Sequence, residues 1–208
     1  MKTQSKEAQA SVTPQMALRV LKEGNQRFQD NLRANRDFLQ EANITADGQY
    51  PFVVILSCID SRTSAELIFD QGLGDIFSIR IAGNILNGDI LGSMEFACKL
   101  AGSKLIVVLG HSSCGAVNGA CSGAELGHLT ALLEKLKPSI EQARARDLEG
   151  EELIQEAASD NVVRVVQEIS ARSSVLRTMI EDGHVGIVGA MYSVQTGRVH
   201  FNDLSENS

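Results

Sequence analysis

The sequence predicts an α/β fold, with a mostly parallel central sheet flanked by helices. Two observations predict it. Residues 51–57 (PFVVILS) and 104–110 (KLIVVLG) are short, β-branched and almost unbroken in apolar character, the pattern of strands buried on both faces. Between and after them run segments with apolar residues at helical spacing. Strands that alternate with helices imply parallel pairing through right-handed crossovers.

Taken in order, residues 14–35 read as one amphipathic helix. Pro14 suits its first turn, and Met16, Leu18, Val20, Leu21 and Phe28 can share one broad face. Residues 36–48 are polar and are expected to be irregular. After the strand at 51–57, Thr63 to Gln71 is a short helix closed by Gly72 and Gly74. Residues 76–82 (IFSIRIA) form the next strand, and Gly83-Asn84 turns the chain. Residues 88–101 form a helix that offers Leu91, Met94, Phe96 and Ala97 to the core, before the strand at 104–110. From Gly115 to about Gly183 the chain is mostly helical, with a break at Glu149-Gly150-Glu151-Glu152. Residues 184–194 and 198–202, joined by Gln195-Thr196-Gly197, are expected to close the fold as a hairpin.

At 208 residues the chain is one domain, or one domain with appendages, and 43% hydrophobic content allows a sizeable core. A formal net charge of −7 and a pI near 5.1 argue against nucleic acid or an anionic membrane surface as the main partner. No apolar run approaches the roughly 20 residues that span a bilayer. Residues 1–10 are polar and carry charges of both signs, unlike a secretory signal, so the protein is expected to be soluble and cytoplasmic. In a reducing compartment the four cysteines point to metal binding rather than to two disulfides.

Two motifs carry the chemistry. Cys58-Ile59-Asp60-Ser61-Arg62 follows the first buried strand, and His111-Ser112-Ser113-Cys114-Gly115 follows the strand at 104–110. The carboxyl edge of an open α/β sheet carries its ligand crevice, so two neighbouring parallel strands would bring Cys58 to His111 and Cys114. Two thiolates and an imidazole are a preferred zinc set, and three protein ligands leave a fourth position for water or substrate. A carboxylate beside such an ion, Asp60, can accept a hydrogen bond from the reactive water or bind the ion itself, and Arg62 can hold it back by a bidentate clasp. His128, His184 and His200 lack ligand spacing, and Cys98 and Cys121 sit among helix-like residues and are read as packing.

The paired motifs resemble those of the β-class carbonic anhydrases. The similarity runs from about Gln49 to Val117 and, more weakly, to Tyr192 and the C-terminal strands. The resemblance implies one zinc per chain on Cys58, His111 and Cys114, with the Asp60–Arg62 dyad poising the fourth ligand. It implies reversible hydration of CO2 to bicarbonate and a proton through hydroxide on the zinc. It also implies a substrate pocket of Gln49, Phe77, Ala82, Phe96 and Gly115. Val and Tyr are frequent in the family at the places of Ala82 and Phe96, which suggests a wider and less polar pocket. Some bacterial members bind bicarbonate at a regulatory site built from Trp, Arg and Tyr. Here Arg80 and Tyr192 match two of those places, but Ile55 stands at the third and the chain has no tryptophan, so that site is not expected. By the same resemblance residues 1–35 form a helical arm packed on a partner subunit, and residues 36–208 form the zinc-binding catalytic domain of a homodimer or higher homo-oligomer.

Three rival readings exist. The same scaffold can hydrolyse carbon disulfide or carbonyl sulfide, linear molecules isoelectronic with CO2. The cluster can instead be a non-catalytic zinc-stabilised interaction module, although such sites close with a fourth Cys or His, and only Asp60 is at hand. Thiol redox chemistry lacks a CxxC pair.

Overall fold

The computed structural model describes residues 5–204. In chain order the elements are α1 (Lys6–Ser11), α2 (Pro14–Gln29), α3 (Phe38–Ile44), β1 (Val53–Ser57), α4 (Ala65–Ile68), β2 (Ile76–Arg80), α5 (Gly88–Glu95), β3 (Leu105–His111), α6 (Gly115–Cys121), α7 (Gly127–Leu133), α8 (Lys137–Arg144), α9 (Gly150–Arg172), α10 (Ser174–Glu181), β4 (Gly186–Tyr192) and β5 (Val199–Phe201).

The five strands form one sheet in the order β2-β1-β3-β4-β5. β1 pairs in parallel with β2 and β3, β3 pairs in parallel with β4, and only β5 runs antiparallel, against β4. The closing hairpin is therefore as expected. β1 and β3 are buried at every position, which is why their composition is so uniformly apolar.

Alternate residues of each strand feed two cores. Val53, Ile55, Leu105, Val107, Leu109, Val188 and Ala190 meet α2 and α4 through Ala17, Leu18, Leu21, Ala65, Ile68 and Phe69. Val54, Leu56, Ile106, Val108 and Ile187 meet α5, α9 and α10 on the other face. A third cluster, including Cys58, Ile85, Cys114, Val117, Leu136 and Ile140, lies beyond the carboxyl ends of β1 and β3. Among the described residues, no helix is long and apolar enough to cross a membrane.

Four boundaries differ from the sequence expectation. α2 stops at Gln29, not 35. Asn31 takes a left-handed conformation (φ 54°) and Leu32 N–H bonds back to Arg27 O at 2.9 Å, a Schellman-type stop. Residues 36–48 are not irregular throughout but contain α3, capped by the Asp37 side chain on Gln40 N–H at 3.0 Å. The short helix expected from Thr63 to Gln71 is limited to Ala65–Ile68. The helix expected over 88–101 turns into a π-helical segment at Phe96–Leu100.

Of the N-terminal arm, residues 1–4 lie outside the described residues. α2 lays Ala17, Leu18 and Leu21 on its own chain's sheet. Its approach is close: a Cβ on Gly24 would lie 1.8 Å from Phe69 O, so only glycine lets α2 cross here.

Candidate metal centre

The topology opens a crevice between β1 and β3. The chain leaves β1 for β2 on one side and β3 lies on the other, so the two crossovers diverge at the carboxyl edge. Ser57 stands opposite Leu109, which places Cys58 one residue beyond β1 beside the end of β3. Cys58, His111 and Cys114 meet there, with relative exposures of 4%, 1% and 2%. Their ligand atoms all lie within 4.8 Å of one another. The two sulfurs are 4.0 Å apart, about twice a disulfide bond length. Among the described residues this is the one group of three or more His, Cys, Asp or Glu placed to share an ion, and His128, His184 and His200 are not in it.

His111 is oriented as a ligand. Its Nδ1 lies 2.9 Å from the carbonyl oxygen of Ser112, which can only accept, so Nδ1 carries the proton and Nε2 presents a lone pair. That Nε2 is buried and has no hydrogen-bond partner. An orphaned buried acceptor costs about 1–3 kcal/mol, a cost an ion on that atom removes. The sulfurs agree. The Cys114 thiol, hydrogen-bonded to Cys58, holds Cys58 well down against its burial, with the Gly83 N–H also helping. The same bond, together with burial, pushes Cys114 well up. Two sulfurs and one imidazole nitrogen in this reach fit one zinc ion.

Asp60 stands beside this cluster under a double clasp. Arg62 Nε donates to Oδ1 at 2.9 Å and Arg62 Nη2 to Oδ2 at 2.8 Å, with the Arg62 backbone N–H also on Oδ1 at 2.9 Å. These bonds hold the Asp60 carboxyl well below the usual carboxylate range, burial opposing. The loop that carries Cys58 and Asp60 is itself pinned. Arg80 donates to Cys58 O at 3.1 Å and to Asp60 O at 2.6 Å, and Thr63 Oγ1 donates to the same two carbonyls at 3.0 and 2.9 Å. Arg80 is thus committed to the loop, while Ile55 is fully buried in β1.

Sequence reasoning missed Thr63, Gly83 and the loop-bracing role of Arg80. The signal available was the Gly83-Asn84 turn after β2, which leads the chain straight back to Cys58.

Of the five residues expected to line the pocket, one chain brings two to the cluster. Ala82 opens the turn Ala82–Asn84, and Gly115 begins α6 directly after Cys114. Gln49 is exposed and precedes β1, so the full strand, about 16 Å at ~3.3 Å per residue, separates it from Cys58. Phe77 stands opposite Val54 near the start of β1 and meets Phe96 edge-on, ring centroids 6.2 Å apart. These three lie away from the sulfurs of their own chain.

Comparison with known proteins agrees with this geometry. The carbonic anhydrase family profile matches residues 53–199. Carbonic anhydrase 2 of Mycobacterium tuberculosis is 39% identical over 200 residues, covering 93% of this chain and 95% of the relative. The structure of the β-carbonic anhydrase CcaA superposes with a TM-score of 0.74 at 27% identity, over 90% of this chain and 88% of that one. A tetrameric β-carbonic anhydrase of Sordaria macrospora gives 0.73 at 25% identity, over 79% and 87%. With that much of its length matched in sequence and in fold, the chain belongs to the β-carbonic anhydrase family.

Proposed function

We propose that this protein catalyses the reversible hydration of CO2 to bicarbonate and a proton, with one zinc held by Cys58, His111 and Cys114. The observation that carries the reading is the buried, unpartnered Nε2 of His111 facing two free sulfurs. When bound, zinc acidifies water and so supplies a nucleophile near neutral pH.

The chain's own residues do the rest. Asp60 is ionised and therefore accepts only. It takes a hydrogen bond from the O–H of the attacking water and so directs a lone pair at CO2. Arg62 keeps both Asp60 oxygens turned toward itself, so the carboxylate does not close the cluster as a fourth ligand. Burial of Cys58, His111 and Cys114 keeps bulk water from competing for their donor atoms.

The pocket is completed by a second copy of the chain, in a homodimer or a higher assembly built on it. Gln49, Phe77 and Phe96 belong to the pocket by family resemblance yet lie away from their own Cys58. Exposed apolar side chains support the assembly: Phe38 is 50% exposed, Leu39 74%, Phe96 51% and Leu100 77%. A net charge of −7 fits a small neutral substrate better than nucleic acid or an anionic membrane surface, and we read the protein as cytoplasmic.

The test is zinc content and stopped-flow CO2 hydration measured on one purified sample. About one zinc per chain with rapid hydration is expected. Metal-free protein, or zinc-loaded protein that does not hydrate CO2, refutes the reading.

A further inference from the structure

The polar contacts behind the metal centre extend well past its ligands. Gly83 N–H donates to Cys58 Sγ at 3.3 Å. Gly83 holds a left-handed conformation (φ 65°), the torsion that favours glycine, and a Cβ there would press on Leu136 Cδ1 at 3.0 Å. Its carbonyl is gripped from the far side of the sheet's edge. Asn161, in the middle of α9 and 1% exposed, donates from Nδ2 to Gly83 O at 2.9 Å.

Arg164 decides which end of that amide faces Gly83. Arg164 Nη2 donates to Asn161 Oδ1 at 2.8 Å, and a guanidinium cannot accept, so Nδ2 is left for the carbonyl. Arg164 is fixed in turn by Ser139 Oγ at 3.0 Å, by Lys135 O at 2.7 Å and by an ion pair with Glu168. Asparagine is a poor residue for a helix interior, and α9 already packs through Val162, Val165 and Ile169. A buried amide here serves something other than the helix.

We propose that Asn161 is a positioning residue for the metal centre: through Gly83 it keeps a backbone N–H aimed at the Cys58 sulfur. The inference rests on the zinc reading above. Two thiolates offset both charges of a zinc ion, and a hydrogen bond to one of them withdraws electron density from it. The ion then stays a stronger Lewis acid than its ligand set alone allows.

The test uses cobalt(II)-loaded protein and its near-ultraviolet sulfur-to-cobalt charge-transfer band, with CO2 hydration and thermal unfolding on the same samples. Asn161→Asp keeps the size and the acceptor for Arg164 but removes the donor. Its band is expected at longer wavelength than that of the unmutated protein, because a thiolate without its N–H partner gives up an electron more easily. Turnover is expected to fall about tenfold. Arg164→Gln, at a side chain 20% exposed, releases the amide orientation and should give a smaller shift in the same direction. A role confined to stability lowers the unfolding temperature and leaves the band in place, and that result overturns the proposal. If Asn161→Asp does not fold, the band of Arg164→Gln decides alone. An unmutated protein that takes up no cobalt, or shows no such band, defeats the metal reading itself, which separates the two failures.

Discussion

Two donors from one guanidinium fix what Asp60 can do. Held well below the usual carboxylate range by Arg62, it is ionised at every pH at which the enzyme works. Its stabilising contribution is present above the unfolded carboxylate value of about 3.9 and is lost only as pH falls through the depressed folded value. Protonation of Asp60 therefore cannot shape the activity profile between pH 6.5 and 9. Activity is still expected to climb across that window. Two thiolates would cancel the charge of a zinc ion held there, so water beside it would be acidified less than the value of about 7 reached in a three-histidine site. A stopped-flow profile flat from pH 6.5 to 9 would show this charge argument to be wrong. Asp60→Asn should retain about one zinc per chain while losing turnover by about 100-fold or more, since the amide cannot replace an acceptor-only carboxylate. Arg62→Ala frees Asp60 to swing onto the cluster and should cost turnover without costing zinc. Full activity in that variant argues against the clasp.

At the scale of elements, the sequence was readable where burial is uniform and opaque where a partner is distant. β1 and β3 are covered on both faces, so their apolar runs announce them within a residue or two, and the ligands that follow each run were legible for the same reason. α3 was not. Its Phe38, Leu39 and Ile44 are 50%, 74% and 65% exposed, and what seats it is ionic. Glu41, only 5% exposed, accepts from Arg36 Nη1 at 3.0 Å and from Leu73 N–H at 3.0 Å, and Arg36 also faces Asp75 at 3.7 Å. No local pattern encodes a contact between residues 41 and 73. Asn161 was hidden likewise, 78 positions from the carbonyl it holds. The α3 cluster yields a stability prediction. Glu41→Ala removes the close carboxylate from a buried guanidinium, which keeps Asp70 O at 2.8 Å and Asp75 at 3.7 Å, and should cost about 3 kcal/mol, read as a lowered urea midpoint with zinc content unchanged. A midpoint within error of the unmutated protein would place the anchoring of α3 elsewhere.

For the whole molecule, the direction of β1 sets the residues that the family resemblance assigns to the pocket at two ends of one strand. Cys58, Asp60, Ala82 and Gly115 gather at the carboxyl end of the strand, while Gln49 and the Phe77–Phe96 pair stand toward its other end. In the two-fold assembly proposed above, one chain's amino-terminal group would meet the other's carboxyl-terminal group, and would do so twice, because an isologous interface repeats every contact. Chain mixing tests this directly. Asp60→Asn and Gln49→Ala homodimers should each hydrate CO2 poorly, every site carrying one lesion. In a mixed dimer one pocket receives both lesions and the other receives neither. Random exchange makes half the dimers mixed, each with one intact site of two, so about a quarter of the unmutated activity should return after joint unfolding and refolding. If Gln49 served the site of its own chain, no mixture would contain an undamaged pocket, and the activity would stay at the level of the parent variants. Phe96→Asp should act on the same surface: an ionised side chain placed there has to be desolvated for two copies to meet, so sedimentation should show smaller species and turnover should fall while zinc stays bound. Recovery on mixing together with that dissociation would mean that the unit of catalysis is the pair of chains, and that a monomer holds its metal without holding its substrate.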